Sequence, residues 1–333
     1  MKQVTKGQWC GYDTYILHSR DLEVTLLPKL GNNIISLRDI REGRDILRSP
    51  EEADLDFYLQ KPYHFGIPLL IPPGRIAKGR FEFQGANYQF DQNTANDNHI
   101  HGLHRTQSWI VSDIQEEEDG CAVTTEFCSQ NDPHWMEQLP VELKFEMTFH
   151  LQDSSLRQTL KVTHLGHERS IPFGIGYHTW FMIDGEPQRW SVKVPVEGVY
   201  EQNDQLLPSG KVLPLGPLAA LNEGMNLEGT NFDTPLRIGE KRPVEALVLR
   251  DDGYGLKYGA DENYFRHWVL YTKGTADQFL CVEPYTWLPD APNVPGGPEF
   301  TGLLTLNPGE TLELATWIEM IYPESEAPET QEA

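Results

Sequence analysis

The stretch Val141-Glu-Leu-Lys-Phe-Glu-Met-Thr-Phe-His-Leu151 alternates apolar and polar residues without a break. Side chains of a β-strand point to opposite faces in turn, so this pattern sorts itself into two surfaces. Val141, Leu143, Phe145, Met147, Phe149 and Leu151 form an apolar face, and Glu142, Lys144, Glu146, Thr148 and His150 a polar one. A helix of the same sequence would scatter the apolar groups around its axis. The segment therefore predicts a long, half-buried antiparallel strand. Asp153-Ser154-Ser155 supplies a turn, after which Leu156, Leu160 and Val162 resume the pattern, as in a hairpin.

Shorter runs of the same kind recur at 24–27, 34–37, 81–90, 122–127, 190–196, 246–249, 267–271, 279–283 and 312–321. Asn307-Pro-Gly-Glu310 is a turn signal ahead of the last. Gly, Pro, Asn and Asp fill the gaps. Only 51–59 and 218–227 have the character of short helices, and strands do not alternate with helices as parallel βαβ units require. The expectation is an all-β chain, a sandwich or a barrel. No composition break marks a linker, so residues 1–322 read as one domain. Residues 323–333 are acidic and lack large apolar side chains, so they read as a disordered tail.

The formal net charge is −23. Phosphate backbones and anionic membrane surfaces both select clustered Lys and Arg, so the balance argues against nucleic-acid and membrane partners. It suits a neutral small molecule. Cys10, Cys121, Cys128 and Cys281 form no CxxC and no zinc-like spacing, which favours free thiols and a cytoplasmic setting. The first fifteen residues lack the apolar core of a signal peptide, and no apolar run approaches the roughly 20 residues of a membrane helix.

Three segments place titratable groups in apolar or glycine-rich settings. In Asn98-His-Ile-His-Gly-Leu-His-Arg105, His99 and His101 would share a face of a strand, and His104 would return to the same neighbourhood. These are either surface histidines by a turn, site residues, or metal ligands. The metallo-β-lactamase type of cluster, however, expects Asp where Leu103 stands. In Pro172-Phe-Gly-Ile-Gly-Tyr-His-Thr-Trp-Phe181, His178 is either a buried histidine satisfied by the backbone or a general acid in an aromatic-walled pocket. In Phe279-Leu-Cys-Val-Glu-Pro-Tyr285, alternation puts Glu283 on one face with Phe279 and Cys281. A carboxylate there is either ion-paired or functional, and burial would raise its pKa into a range useful to a base. Cys281 reads as a small core residue. Arg75 follows the Pro72-Pro-Gly74 turn and offers a forked donor pair, and Asp233 stands in a polar segment read as a loop.

Taken together, these segments resemble the aldose 1-epimerase (galactose mutarotase-like) family, in order along nearly the whole chain. Leu30-Gly-Asn-Asn-Ile-Ile-Ser-Leu-Arg38 is similar to the family's opening strand pair, and Gly74-Arg-Ile-Ala-Lys-Gly-Arg-Phe81 to its Asn-Arg-Ile…Gly…Phe motif. Asn98-His-Ile-His-Gly102, Gly176-Tyr-His-Thr-Trp-Phe181 and Cys281-Val-Glu-Pro-Tyr…Leu-Pro-Asp-Ala-Pro-Asn293 match the two histidine motifs and the base motif. The resemblance implies a large antiparallel β-sandwich, the galactose mutarotase-like supersandwich. It implies His101 and His178 as the active-site histidines and Glu283 as the general base. Arg75 and Asp233 would bind sugar hydroxyls, with no metal and no cofactor. Three departures stand out: Gly74 replaces the usual Asn, Leu103 replaces the second Gly of His-Gly-Gly, and Pro284-Tyr285 replaces Thr-Gln. They place the chain in a less characterised branch.

The implied reaction is α/β anomer exchange of a free aldose. Glu283 would take the C1 hydroxyl proton while His178, assisted by His101, protonates the ring oxygen; Trp180 and Trp287 would either stack on the sugar or pack in the core. A non-catalytic sugar-binding module or sensor would share the pocket. A sugar-phosphate mutarotase would need basic side chains at the rim, for which Arg75, Arg80 and Arg105 are the candidates. A glycosidase would need a second carboxylate, for which Asp233 is the only candidate. The expected partner is a small-molecule sugar, and the expected state a monomer or homodimer.

Overall fold

The long alternating strand is the third strand of a nine-stranded sheet. In the computed structural model, which describes residues 3–239, 243–274 and 278–323, it runs as Leu143–Gln152 and pairs with Ser155–His164 from Leu143↔His164 to Gln152↔Ser155. Asp153 takes a positive φ of 48° in the connection. Leu143, Phe145, Met147, Phe149 and Leu151 are buried, as alternation requires, and the residues between them are half-buried. Val141 is also buried but precedes the strand. Gly120–Cys128 and Ile110–Glu116 extend the sheet on one side. Thr311–Ile321, Gly255–Ala260, Glu245–Arg250, Trp190–Lys193 and Met225–Asn226 extend it on the other.

A second, eight-stranded sheet carries Pro208–Leu213, Gly198–Gln202, Asp233–Arg237, His267–Tyr271, Phe279–Tyr285, Gly176–Tyr177 and Leu69–Leu70 in that order, with Thr179–Met182 also pairing Phe279–Tyr285. The two sheets meet at Tyr258. Its ring lies 5.7 Å from Phe181 and 6.0 Å from Trp268, and its hydroxyl accepts a 3.0 Å bond from Thr179. A five-stranded N-terminal sheet, Val4–Trp9 through Arg44–Asp45, joins the same apolar cluster. Its Asn32 side chain donates to Thr125 on the nine-stranded sheet at 2.8 Å. Burial of apolar side chains between antiparallel sheets drives this arrangement. The fold is an all-β sandwich, as alternation predicts.

Details differ from expectation. The 81–90 run is a small hairpin, Arg80–Phe83 with Ala86–Gln89, because Gln84 and Gly85 both take positive φ. The helical reading of 51–59 becomes a 3-10 turn plus Leu55–Gln60. That of 218–227 becomes a 3-10 segment, Gly216–Asn222, followed by a short strand. Helices Pro133–Gln138 and Gly297–Thr301 carry no periodic signal in so few residues. Pro323 is the last described residue, so the expected tail at 323–333 lies, apart from Pro323 itself, outside the described residues. No helix among the described residues is long and apolar enough to cross a membrane.

Candidate active site

Phe279–Tyr285 is buried along nearly its full length because both of its faces are covered. Leu280 and Val282 face the core, whereas Cys281, Glu283 and Tyr285 alternate onto the other face. The pairs Gly176↔Tyr285 and Thr179↔Val282 bracket His178 and Glu283 at one register, so the two are cross-strand neighbours. His178 sits at the gap between two short strands, and its peptide N–H donates to Pro68 O at 3.1 Å. His178 Nε2 lies 3.5 Å from Glu283 Oε1. Tyr285 donates its hydroxyl to the other carboxylate oxygen, Oε2, at 2.5 Å.

Arg75 and His101 come from a two-residue ladder, His99↔Ile76 and Ile100↔Arg75. The ladder ends there: His101 takes a φ of 61°, an uncommon conformation for a residue with a Cβ and one that marks functional positions. Its N–H donates to Gly74 O at 2.9 Å, and its ring turns edge-on to His178 with centroids 5.3 Å apart. Gly74 itself has a φ of 71°. A Cβ there would sit 2.6 Å from Pro289 Cγ, so both the backbone conformation and the packing favour glycine at position 74. Asp233 opens the strand Asp233–Arg237 and is not in a loop as expected; it is half-buried, with Lys273 Nζ 3.4 Å from its carboxylate.

Glu283, His178, His101, Arg75 and Asp233 all line one cavity of about 170 Å³. Tyr63, His64, Trp180, Gln202, Tyr271 and Tyr285 complete much of its wall. Burial, and then Asp233, push the Glu283 carboxyl well above its ordinary range, against the lowering effect of the Tyr285 bond. Burial, and then His64, pull His178 down to about 3; burial and then His178 pull His101 well below its ordinary value. Nδ1 of both histidines is buried without a protein partner, and among the described residues nothing pairs with the Arg75 guanidinium. The cavity thus holds a close Glu283–His178 pair, 3.5 Å apart, beside buried polar atoms without partners among the described residues.

Several expectations need correcting. His99 and His101 do not share a face, and His104 does not return to the site. His99 bonds Asp91 O at 2.8 Å beneath Phe90, and His104 bonds Gly31 O at 2.9 Å beside Trp109, so the three do not converge on a metal. Among the described residues the one group with ligand-like spacing is His178, Cys281 and Glu283, with atoms within 4.8 Å of one another. Trp180 lines the cavity and stacks on His178 at 5.1 Å and 3°. Trp287 does not line it; it is buried and donates to Pro73 O at 3.0 Å. Arg105 spends its guanidinium on Ile100 O and Gly102 O, and Arg80 is exposed away from the cavity.

Sequence reasoning missed the supports. Asp290 accepts Ala77 N–H at 3.0 Å and Asn293 Nδ2 at 2.6 Å, and its own N–H donates to Arg75 O at 2.7 Å. The Leu-Pro-Asp-Ala-Pro-Asn part of the base motif therefore braces the Arg75 segment. Tyr285 was legible as Glu283 plus two on one strand face, and Tyr63, 4.8 Å from the His101 ring, carried no sequence signal.

The chain is 26% identical over 270 residues to the uncharacterized protein YphB of Escherichia coli, covering 77% of this chain and 84% of the relative. It is 25% identical over 303 residues to the galactose mutarotase of Rattus norvegicus, covering 80% and 81%. A galactose mutarotase-like protein from Clostridium acetobutylicum superposes with a TM-score of 0.89 at 22% identity, over 95% of this chain and 98% of that one. The family model described as Aldose 1-epimerase matches residues 13–319. The chain belongs to the aldose 1-epimerase family.

Proposed function

We propose that the protein is a mutarotase that interconverts the α and β anomers of a free aldose. The observation that carries this reading is the Glu283–His178 pair at 3.5 Å inside the cavity that Arg75, His101 and Asp233 also line. Anomer exchange needs a proton removed from the C1 hydroxyl and one delivered to the ring oxygen. Ring opening, rotation about C1–C2 and closure then follow. Glu283 is the base, and its raised proton affinity makes it a stronger one than an exposed carboxylate. His178 is the acid to the ring oxygen and His101 a second donor there. Arg75 and Asp233 hold ring hydroxyls, and Trp180 forms part of the wall.

Burial disfavours the charged form of both partners, raising the Glu283 carboxyl and lowering the His178 imidazole. Of the three arginines available to a phosphate, only Arg75 lines the cavity, which supports an unphosphorylated sugar. The free thiols Cys10, Cys121, Cys128 and Cys281 support a reducing, cytoplasmic setting.

The test is polarimetry on freshly dissolved aldoses. The wild-type protein should accelerate mutarotation, and Glu283→Gln should lose about 10²–10⁴-fold, the usual worth of a placed acid or base. Unchanged activity in Glu283→Gln would remove the assignment. Sugar binding without any acceleration by the wild type would make the protein a binding module instead.

A further inference from the structure

We propose that Tyr285 is the positioning residue of the base, fixing Glu283 so that Oε1 alone takes the anomeric proton. This rests on the mutarotase reading above. Tyr285 follows Glu283 by two residues on the same strand, and both side chains line the cavity. Its hydroxyl reaches Glu283 Oε2 at 2.5 Å, which leaves Oε1 as the oxygen 3.5 Å from His178. A carboxylate held at one oxygen by a charge-assisted bond presents the other in a fixed direction.

The ring is clamped for this task. A Cβ on Gly176 would sit 2.3 Å from Tyr285 Cδ1, and Pro73 packs beside the same glycine. Backbone pairing on both sides, Gly176↔Tyr285 and His267↔Tyr285, fixes the strand position. The glycine before His178 in the Gly-x-His motif therefore makes room for the tyrosine ring. Burial and the neighbouring Glu283 raise the phenol well above its ordinary pKa, so it remains a donor at any pH the reaction uses. The bond stabilises the carboxylate against the burial that disfavours it, and sets how basic Glu283 is.

The experiment is Tyr285→Phe, which removes only the hydroxyl, with circular dichroism to verify folding. A donor to a charged group shifts its partner by about one to two pH units. The acid limb of the kcat/KM profile for mutarotation should move up by that amount. Activity at pH 7 should fall about ten- to hundredfold and recover as pH rises. Infrared titration of the protonated carboxyl band, assigned by its loss in Glu283→Gln, should show the same upward shift without any sugar present. A Tyr285→Phe protein whose limb and infrared midpoint both stay in place overturns the proposal. If the wild type proves inactive as a mutarotase, the infrared midpoint still decides the Tyr285 question alone.

Discussion

Acid should unfold this protein through buried histidines that lie outside the cavity. His99, His104 and His267 are buried, and burial holds them at about 4, about 4 and about 3, against an ordinary 6.5. A group whose folded pKa is depressed in this way stays neutral in the native state while the unfolded chain binds the proton. Stability is therefore complete above about pH 6.5 and lost as pH falls toward the folded values. At pH 5 each histidine costs about 1.5 pH units at 1.36 kcal/mol per unit, or about 2 kcal/mol. Three cost about 6 kcal/mol, comparable to the whole stability of many domains, about 5–15 kcal/mol. Glu283 works in the opposite direction: its raised folded pKa makes acidification stabilising between its ordinary range and the raised value. Relief of the −23 net charge also favours the folded state at low pH. A double difference removes both. Urea midpoints followed by tryptophan fluorescence at pH 7.5 and pH 5.0 should show a drop in wild type. In His104→Gln that drop should shrink by about 2 kcal/mol, whatever the variant's absolute stability. Equal pH dependence in the two proteins would refute the reasoning.

Two further outcomes follow from the site. Asp290→Ala removes the acceptor of Ala77 N–H and Asn293, a loss worth about 1–3 kcal/mol for a buried group; the melting temperature should fall by a few degrees, and steady-state kinetics should show KM rising as Arg75 loosens. Asp233→Asn replaces a charged acceptor with a neutral one, so KM should rise about tenfold or more while kcat stays within a few-fold, as read by polarimetry across sugar concentrations.

The fold was legible because alternation is a local property. Leu143 to Leu151 bury every second residue, and Glu283 shares its face with Cys281, as the one-dimensional pattern requires. What alternation cannot supply is which strand lies alongside. Glu283 gains His178 as a neighbour only through the register set by Gly176↔Tyr285 and Thr179↔Val282, and pairs that distant are fixed by the whole sheet. The motif order identified the same partners by resemblance, without revealing the register behind them. Alternation also fails where the backbone leaves the β region. His101 was assigned the face of His99, but its φ of 61° turns it toward His178, while His99 stays under Phe90.

The two tryptophans show the same limit from the other side. Trp180 and Trp287 both follow a candidate catalytic residue within a few positions, and composition cannot separate them. Trp287 lies past the strand end at Tyr285, where the chain folds back to brace Pro73 and, through Asp290, Arg75. The base motif thus does two jobs in sequence order. Its strand half places Glu283 and Tyr285 in the cavity, and its loop half holds the Arg75 segment against it. A single contiguous motif carries both Glu283 and the support of Arg75, a residue far away in the chain. Substitutions in the loop half should therefore act on substrate affinity, and those in the strand half on proton transfer, a division that the Asp290→Ala and Tyr285→Phe kinetics test together.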